Sequence, residues 1–253
     1  MKIKRSYLLI ALLWLGMFPA KGQLCDSTIN VHLVRVGMGG FIPMGDLAKR
    51  FGANGSVEGS YIFKTKTNWQ LGVVGSYLFG ATVKEADAIL DNLTASNGEI
   101  IDATGGMALL GTYERGFSFF GKVGKIIPLK NRCPNNGLLV MGGVGYLSHH
   151  MRTEVYMNLA PQLFGDYEKG YDRLTGGPAY SLFIGYQNID KGNIFNYYMG
   201  VSFIHALTKP LRNYQFDLMG PEPRDLRHDL LLGIKFGWML PFYKKNTSSY
   251  YYY

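Results

Sequence analysis

The chain has 253 residues and a formal charge of +8, from 26 Lys and Arg against 18 Asp and Glu. Charged residues make up only 17%, while 33 Gly and a large share of aromatics (18 Tyr, 15 Phe) dominate, a composition that argues against an ordinary charge-covered soluble surface. Lys2, Lys4, Arg5 and Lys21 all precede residue 23 and leave +4 behind them, which removes the main support for a nucleic-acid partner.

Those basic residues begin the first predicted element. A positive start, an apolar run from Tyr7 to Met17 and the small-x-small triplet Ala20-Lys21-Gly22 have the layout of a secretory signal peptide. The apolar run is too short to anchor the chain in a bilayer. Residues 1–22 are therefore expected to be removed, and the mature chain to start at Gln23. Cys25 and Cys133 are the two cysteines; export to an oxidising compartment permits a disulfide between them.

From residue 31 onward the pattern has period two. Eight segments are predicted as strands: 31–42, 56–64, 69–80, 105–127, 138–155, 179–187, 195–207 and 227–242. The last is the clearest. Leu230, Leu232, Ile234, Phe236, Trp238, Leu240 and Phe242 lie on one parity, and Asp229, Gly233, Lys235 and Gly237 on the other. In a soluble sandwich the apolar parity turns inward; in a membrane barrel it turns to lipid and the small and polar parity lines the interior. On the membrane reading, Phe236→Arg is expected to impair assembly and Lys235→Ala to be milder. The connectors alternate, short after strands two, four and six and long after one, three, five and seven. Short periplasmic turns opposite long extracellular loops fit a barrel with both termini in the periplasm. No other stretch approaches 18 consecutive apolar residues, so a membrane-embedded chain has to close its strands into a barrel. The predicted fold is all-β: an eight-stranded antiparallel up-and-down transmembrane β-barrel over residues 23–243, with long extracellular loops. A soluble lipocalin-like barrel is the structural rival.

The Gly-rich aromatic strands, the triplet Ala20-Lys21-Gly22 and the closing strand together resemble the small eight-stranded outer-membrane barrels of Bacteroidota, with OmpA-, OmpX- and OmpW-type architecture. In the closing strand Gly233, Phe236 and Trp238 resemble the Gly-x-x-aromatic-x-aromatic signal of the barrel-assembly machinery, with Leu231 where that signal has a polar residue. The resemblance implies integration in the outer membrane, contact with its lipid and lipopolysaccharide, and insertion by that machinery. It also implies a place for accessory subunits of large envelope machines, including secretion systems.

Candidate functional residues fall into four groups. Parity places Arg35, Glu58, Gln70, Glu114, Lys122 and Lys235 in the lumen, where Arg35, Glu58 and Lys235 belong to neighbouring strands and are expected to meet as a charge network plugging the barrel; a conduction path is the alternative. Ser148, His150, Arg152 and Glu154 share one face, an arrangement that resembles outer-membrane lipid A deacylases but with the serine and histidine in reversed order. In the long loops, Ala86, Ile89, Leu90 and Leu93 recur at helical spacing and predict a small amphipathic lid. Phe164, Asp166, Tyr167, Tyr171 and Arg173 combine aromatics with charge in the manner of binding hot spots. Finally, the tail from Lys244 ends in Tyr250, Tyr251, Tyr252 and Tyr253, which either lie on the membrane interface or dock into a periplasmic partner. No zinc, P-loop or dinucleotide motif occurs, so neither a cofactor nor a metal is expected. The function expected is non-enzymatic: a barrel that binds or anchors a protein partner in the envelope. A small solute channel and a lipid A-modifying enzyme are the rivals.

Overall fold

The computed structural model describes residues 28–95, 98–129, 133–156, 160–190 and 195–243. The predicted signal peptide, Cys25 and the tail residues 244–253, including Tyr250–Tyr253, lie outside these. Cys133 is disulfide-bonded.

Eight strands run in order around a closed barrel: β1 (Val31–Gly45), β2 (Asn54–Lys64), β3 (Trp69–Gly80), β4 (Leu109–Pro128), β5 (Gly137–Tyr156), β6 (Thr175–Asn188), β7 (Asn196–Pro210) and β8 (Arg227–Phe242). Every neighbouring pair is antiparallel, and β1 closes the ring on β8 through Val36↔Trp238 and Gly37↔Gly237. Closure leaves no strand edge unpaired. Residues 65–68 connect β2 to β3 at one end of the barrel, the turn end, which also holds residues 28–30, 129, 133–136, 189–190 and 243. The long connections crown the other, the loop end. Among the described residues no helix is long and apolar enough to cross a membrane.

Several strands outrun the predicted segments at the loop end. β6 starts at Thr175 rather than 179, although Gly176-Gly177-Pro178 has the composition of a turn. The glycine permits close strand approach instead: a Cβ on Gly177 would lie 1.9 Å from the Leu207 carbonyl oxygen. β1 continues through Pro43 to Gly45, with Met44 still on the exposed apolar parity, and β7 runs on to Pro210. β4 starts later than predicted, at Leu109 rather than 105. Residues 101–107 form a small turn of their own, in which Asp102 Oδ1 accepts from Thr104 N at 2.7 Å and Gly106 N at 2.9 Å.

The two faces of the wall differ sharply. Outside, Met38, Leu71, Phe117, Phe119, Met199, Ile234 and Phe236 are exposed, Val144 by 73%. Inside, two apolar tiers are stacked in the lumen. The tier near the turns contains Leu33, Ile62, Val74, Leu139, Phe183 and Met239; the one near the loops contains Phe41, Phe51, Leu78, Phe120, Leu147 and Leu231. Leu231, which departs from the assembly signal, is thus a lumen residue filling the upper tier. A third cluster roofs the barrel. Helix α1 (Leu47–Arg50) fits under the rim, and α2 (Ala86–Leu90), followed by a 3₁₀ turn at Asp91–Leu93, buries Ala86, Ile89 and Leu90 against Met151, Leu163 and Tyr171.

Candidate functional site

Between the two apolar tiers lies a polar belt. Glu58 on β2 accepts from Lys235 Nζ on β8 at 2.5 Å and from the Tyr198 hydroxyl on β7 at 2.6 Å. Arg35 does not reach Glu58 directly. Its guanidinium lies 5.3 Å from the Tyr198 ring centroid and donates to Gln70 Oε1 at 2.5 Å and Gln187 Oε1 at 2.9 Å. Tyr198 therefore bridges two charges that parity alone would have placed in contact. Glycines on the inner face make the room: a Cβ on Gly37 would meet the Tyr198 hydroxyl at 2.4 Å, and one on Gly237 the Tyr198 ring at 2.3 Å. Lys122 enters the same belt from β4, its Nζ 5.5 Å from the Phe120 ring centroid.

Glu114 belongs to a different tier. It sits above Phe41 and Phe120, where Asn54 Nδ2 donates to its Oε2 at 2.9 Å. At that level His149 Nε2 and Asp229 Oδ2 are 2.9 Å apart, and Thr208 Oγ1 donates to the same carboxylate oxygen. The Phe51 ring packs edge-on against His149, with centroids 5.5 Å apart. Arg50, at the end of α1, caps this tier by donating to Thr175 Oγ1 at 2.9 Å and to the Arg173 carbonyl at 3.0 Å. The lumen is thus sealed by alternating apolar and polar layers, which is how eight strands fill their interior.

The loop residues singled out by composition divide between two roles. Tyr171 is buried in the roof cluster. Arg173 pairs with Glu222 at 2.8 Å and with Asp217, and Arg227 reaches the same Glu222 oxygen at 2.6 Å. Burial works against the charges on Arg173 and Glu222. The facing partners outweigh it, holding the guanidinium above its ordinary value and the carboxyl below its own. Arg212 is tied likewise to Asp172. These pairs clamp the third long loop to the fourth. Phe164, Asp166 and Tyr167 stay at the surface, Tyr167 beside Phe216 with ring centroids 6.3 Å apart. Next to them a tight reversal from Gln215 to Gly220, closed by Gln215 N to Gly220 O at 2.8 Å, carries Leu218 and Met219 outward. Met219 has a φ of 50° and is 78% exposed. An aromatic-apolar ridge results, standing on an ion-paired base.

On the outer wall of β5, Ser148 Oγ donates to the Thr175 carbonyl at 3.2 Å, so its hydroxyl is directed at the β6 backbone. Arg152 and Arg115 both face Glu154, at 3.4 Å and 3.7 Å. Among the described residues no group of three or more His, Cys, Asp or Glu is placed to hold a metal.

From the sequence, His149 is expected as a rim histidine beside the headgroups, but it is buried in the lumen against Asp229; Tyr198, Arg50 and Asp229 are not singled out there as site residues. Asp229 stood on the polar parity of the last strand and Tyr198 on the small parity of the seventh, a large ring among glycines; that mismatch was the available signal. Nothing in the sequence marks Arg50, which reaches the lumen from a four-residue helix.

These features define a class: closed, up-and-down, eight-stranded β-barrels that are filled within and apolar without. Solved structures of that architecture are similar to the chain. Ail, the attachment invasion locus protein of Yersinia pestis, aligns over 84% of this chain and 99% of its own, with 9% identity and a TM-score of 0.43. Neisserial surface protein A aligns over 81% and 95%, with 8% identity and a TM-score of 0.33. No family model and no curated protein sequence matches the chain.

Proposed function

We propose that the protein is an integral outer-membrane barrel, neither enzyme nor open channel, that presents its loop crown to a protein partner as an accessory or anchoring subunit in the envelope. The membrane reading rests on the outer wall. From Leu240 to Leu230 on β8 the outward residues are apolar without interruption. Ten steps of about 3.3 Å at a tilt of roughly 40° span about 25 Å, the height of the apolar band in such barrels. Lipid, lipopolysaccharide and the assembly machinery are then its surroundings.

The observation that carries the binding role is Met219. A bulky residue in the left-handed region is a backbone outlier, and such outliers cluster at functional sites. Here the strained residue is also the most exposed large apolar side chain of the described residues, next to Leu218, Tyr167 and Phe164. The ion pairs beneath pre-organise this ridge, which lowers the ordering cost of association. Extraction in mild detergent is expected to co-purify a stoichiometric partner. Tyr167→Ser with Met219→Ser should lose that partner while the barrel keeps its heat-modifiable mobility. Retention of every partner by this variant would remove the ridge from the binding surface.

A further inference from the structure

We propose that the lumen holds a monovalent anion, a halide ion, between Lys122 and Lys235. The mid-lumen belt contains three cations, Arg35, Lys122 and Lys235, against the single carboxylate of Glu58. Apolar tiers close it above and below. Arg35 donates through one terminal nitrogen to the two glutamine carbonyls, its Nε staying without a partner among the described residues, and Lys235 donates to Glu58. Lys122 is buried to within 6% and makes no ion pair or hydrogen bond with any described residue. The neighbouring carboxylate, Glu58, is already bonded to Lys235 and Tyr198, so the belt is left with more positive than negative charge in a low-dielectric interior, where such an imbalance is costly.

The walls around it add hydroxyls, which can turn their hydrogens toward an anion, and no further carboxylate. The hydroxyls of Ser56, Ser181 and Ser202 are buried without a hydrogen-bond partner among the described residues. They come from β2, β6 and β7, while Lys122 and Lys235 reach in from β4 and β8. A hydroxyl donates one hydrogen and an ammonium three. The set therefore combines surplus positive charge with hydroxyls free to orient, the chemistry that a small anion satisfies. Glycine again sets the geometry: Lys122 lies across the inner face of Gly143, where a Cβ would meet its Cγ at 2.6 Å. The Phe120 and Phe41 rings, each 5.5 Å from one ammonium, keep both lysines below the upper tier. A divalent or bulky anion does not suit a lumen that side chains nearly fill.

The test uses the full-length mature barrel, folded in detergent, with bromide as the probe. Crystals grown in sodium bromide are expected to show one anomalous peak within about 3.5 Å of Lys122 Nζ, the outer limit of hydrogen-bond reach. The unfolding temperature should rise with bromide or chloride concentration relative to gluconate, as mass action requires of a ligand that binds only the folded state. Lys122→Met should lose both the peak and the halide dependence. The wild-type peak decides the matter even where the variant fails to fold. Water alone at that position, or a bromide peak elsewhere only, overturns the proposal.

Discussion

Tyr198 donates its hydroxyl hydrogen to Glu58 at 2.6 Å while its ring lies 5.3 Å from the Arg35 guanidinium. One side chain thus joins the two charged groups of the belt, and removing its oxygen tests the join. Tyr198→Phe keeps the ring under Arg35 and deletes only the bond to the carboxylate. A hydrogen bond to a charged group contributes about 1.5–3 kcal/mol. That loss should appear as a lower urea midpoint of the heat-modifiable band, with the fold retained.

The Glu58–Lys235 pair changes an expectation drawn from parity. Phe236→Arg places a guanidinium on the lipid face at a cost of about 2–4 kcal/mol, and parity alone makes Lys235→Ala the milder change. Because Lys235 is the direct ionic partner of buried Glu58, its removal belongs with broken buried pairs, about 3–5 kcal/mol. The two variants should therefore be comparably destabilised in the same urea titration. The double variant Glu58→Gln with Lys235→Met should be less destabilised than Lys235→Met alone. Simple addition of the two single effects would show that the pair is not coupled.

Glu222 links the loop crown to pH. Burial raises its carboxyl, but Arg227 and Arg173 outweigh burial and hold it below its ordinary value of 4.5. A folded-state value below the unfolded one means that the clamp is fully present above about pH 5 and lost as pH falls through the depressed value. Limited proteolysis of the fourth loop, residues 211–226, should be slow at neutral pH and accelerate as pH falls below the ordinary carboxyl value of 4.5, while the barrel stays intact. Glu222→Gln should open the loop at every pH and abolish the dependence.

Met219 offers a test of strain that does not involve a partner. Left-handed backbone costs an ordinary residue about 1–2 kcal/mol, and glycine none of it. Met219→Gly should slow hydrogen exchange of the Gln215 and Gly220 amides, which close the reversal. The same change removes the exposed side chain, so partner binding should weaken as the loop tightens. Parallel strengthening of both would separate the strain from the binding role.

The period-two pattern by itself determined that this chain forms strands, which residues of β8 face outward and where the short turns fall. Alternation is a local property: each wall residue meets either the lumen or the exterior, and neighbours in sequence supply the contrast. The same reasoning anticipated that α2 buries Ala86, Ile89 and Leu90, because helical spacing is equally local. Tertiary structure alone decided who meets whom across the barrel. Glu58 faces Lys235 and not Arg35 because of the shear between strands, and that register is set by ring closure of β1 on β8. Tyr198 could occupy the space between them only because Gly37 and Gly237, 200 residues apart, face each other across that closure. Whether a loop charge becomes a clamp or a surface contact was equally non-local: Arg173 finds Asp217 and Glu222 from another loop, while Asp166 pairs, among the described residues, with Lys169 three residues away.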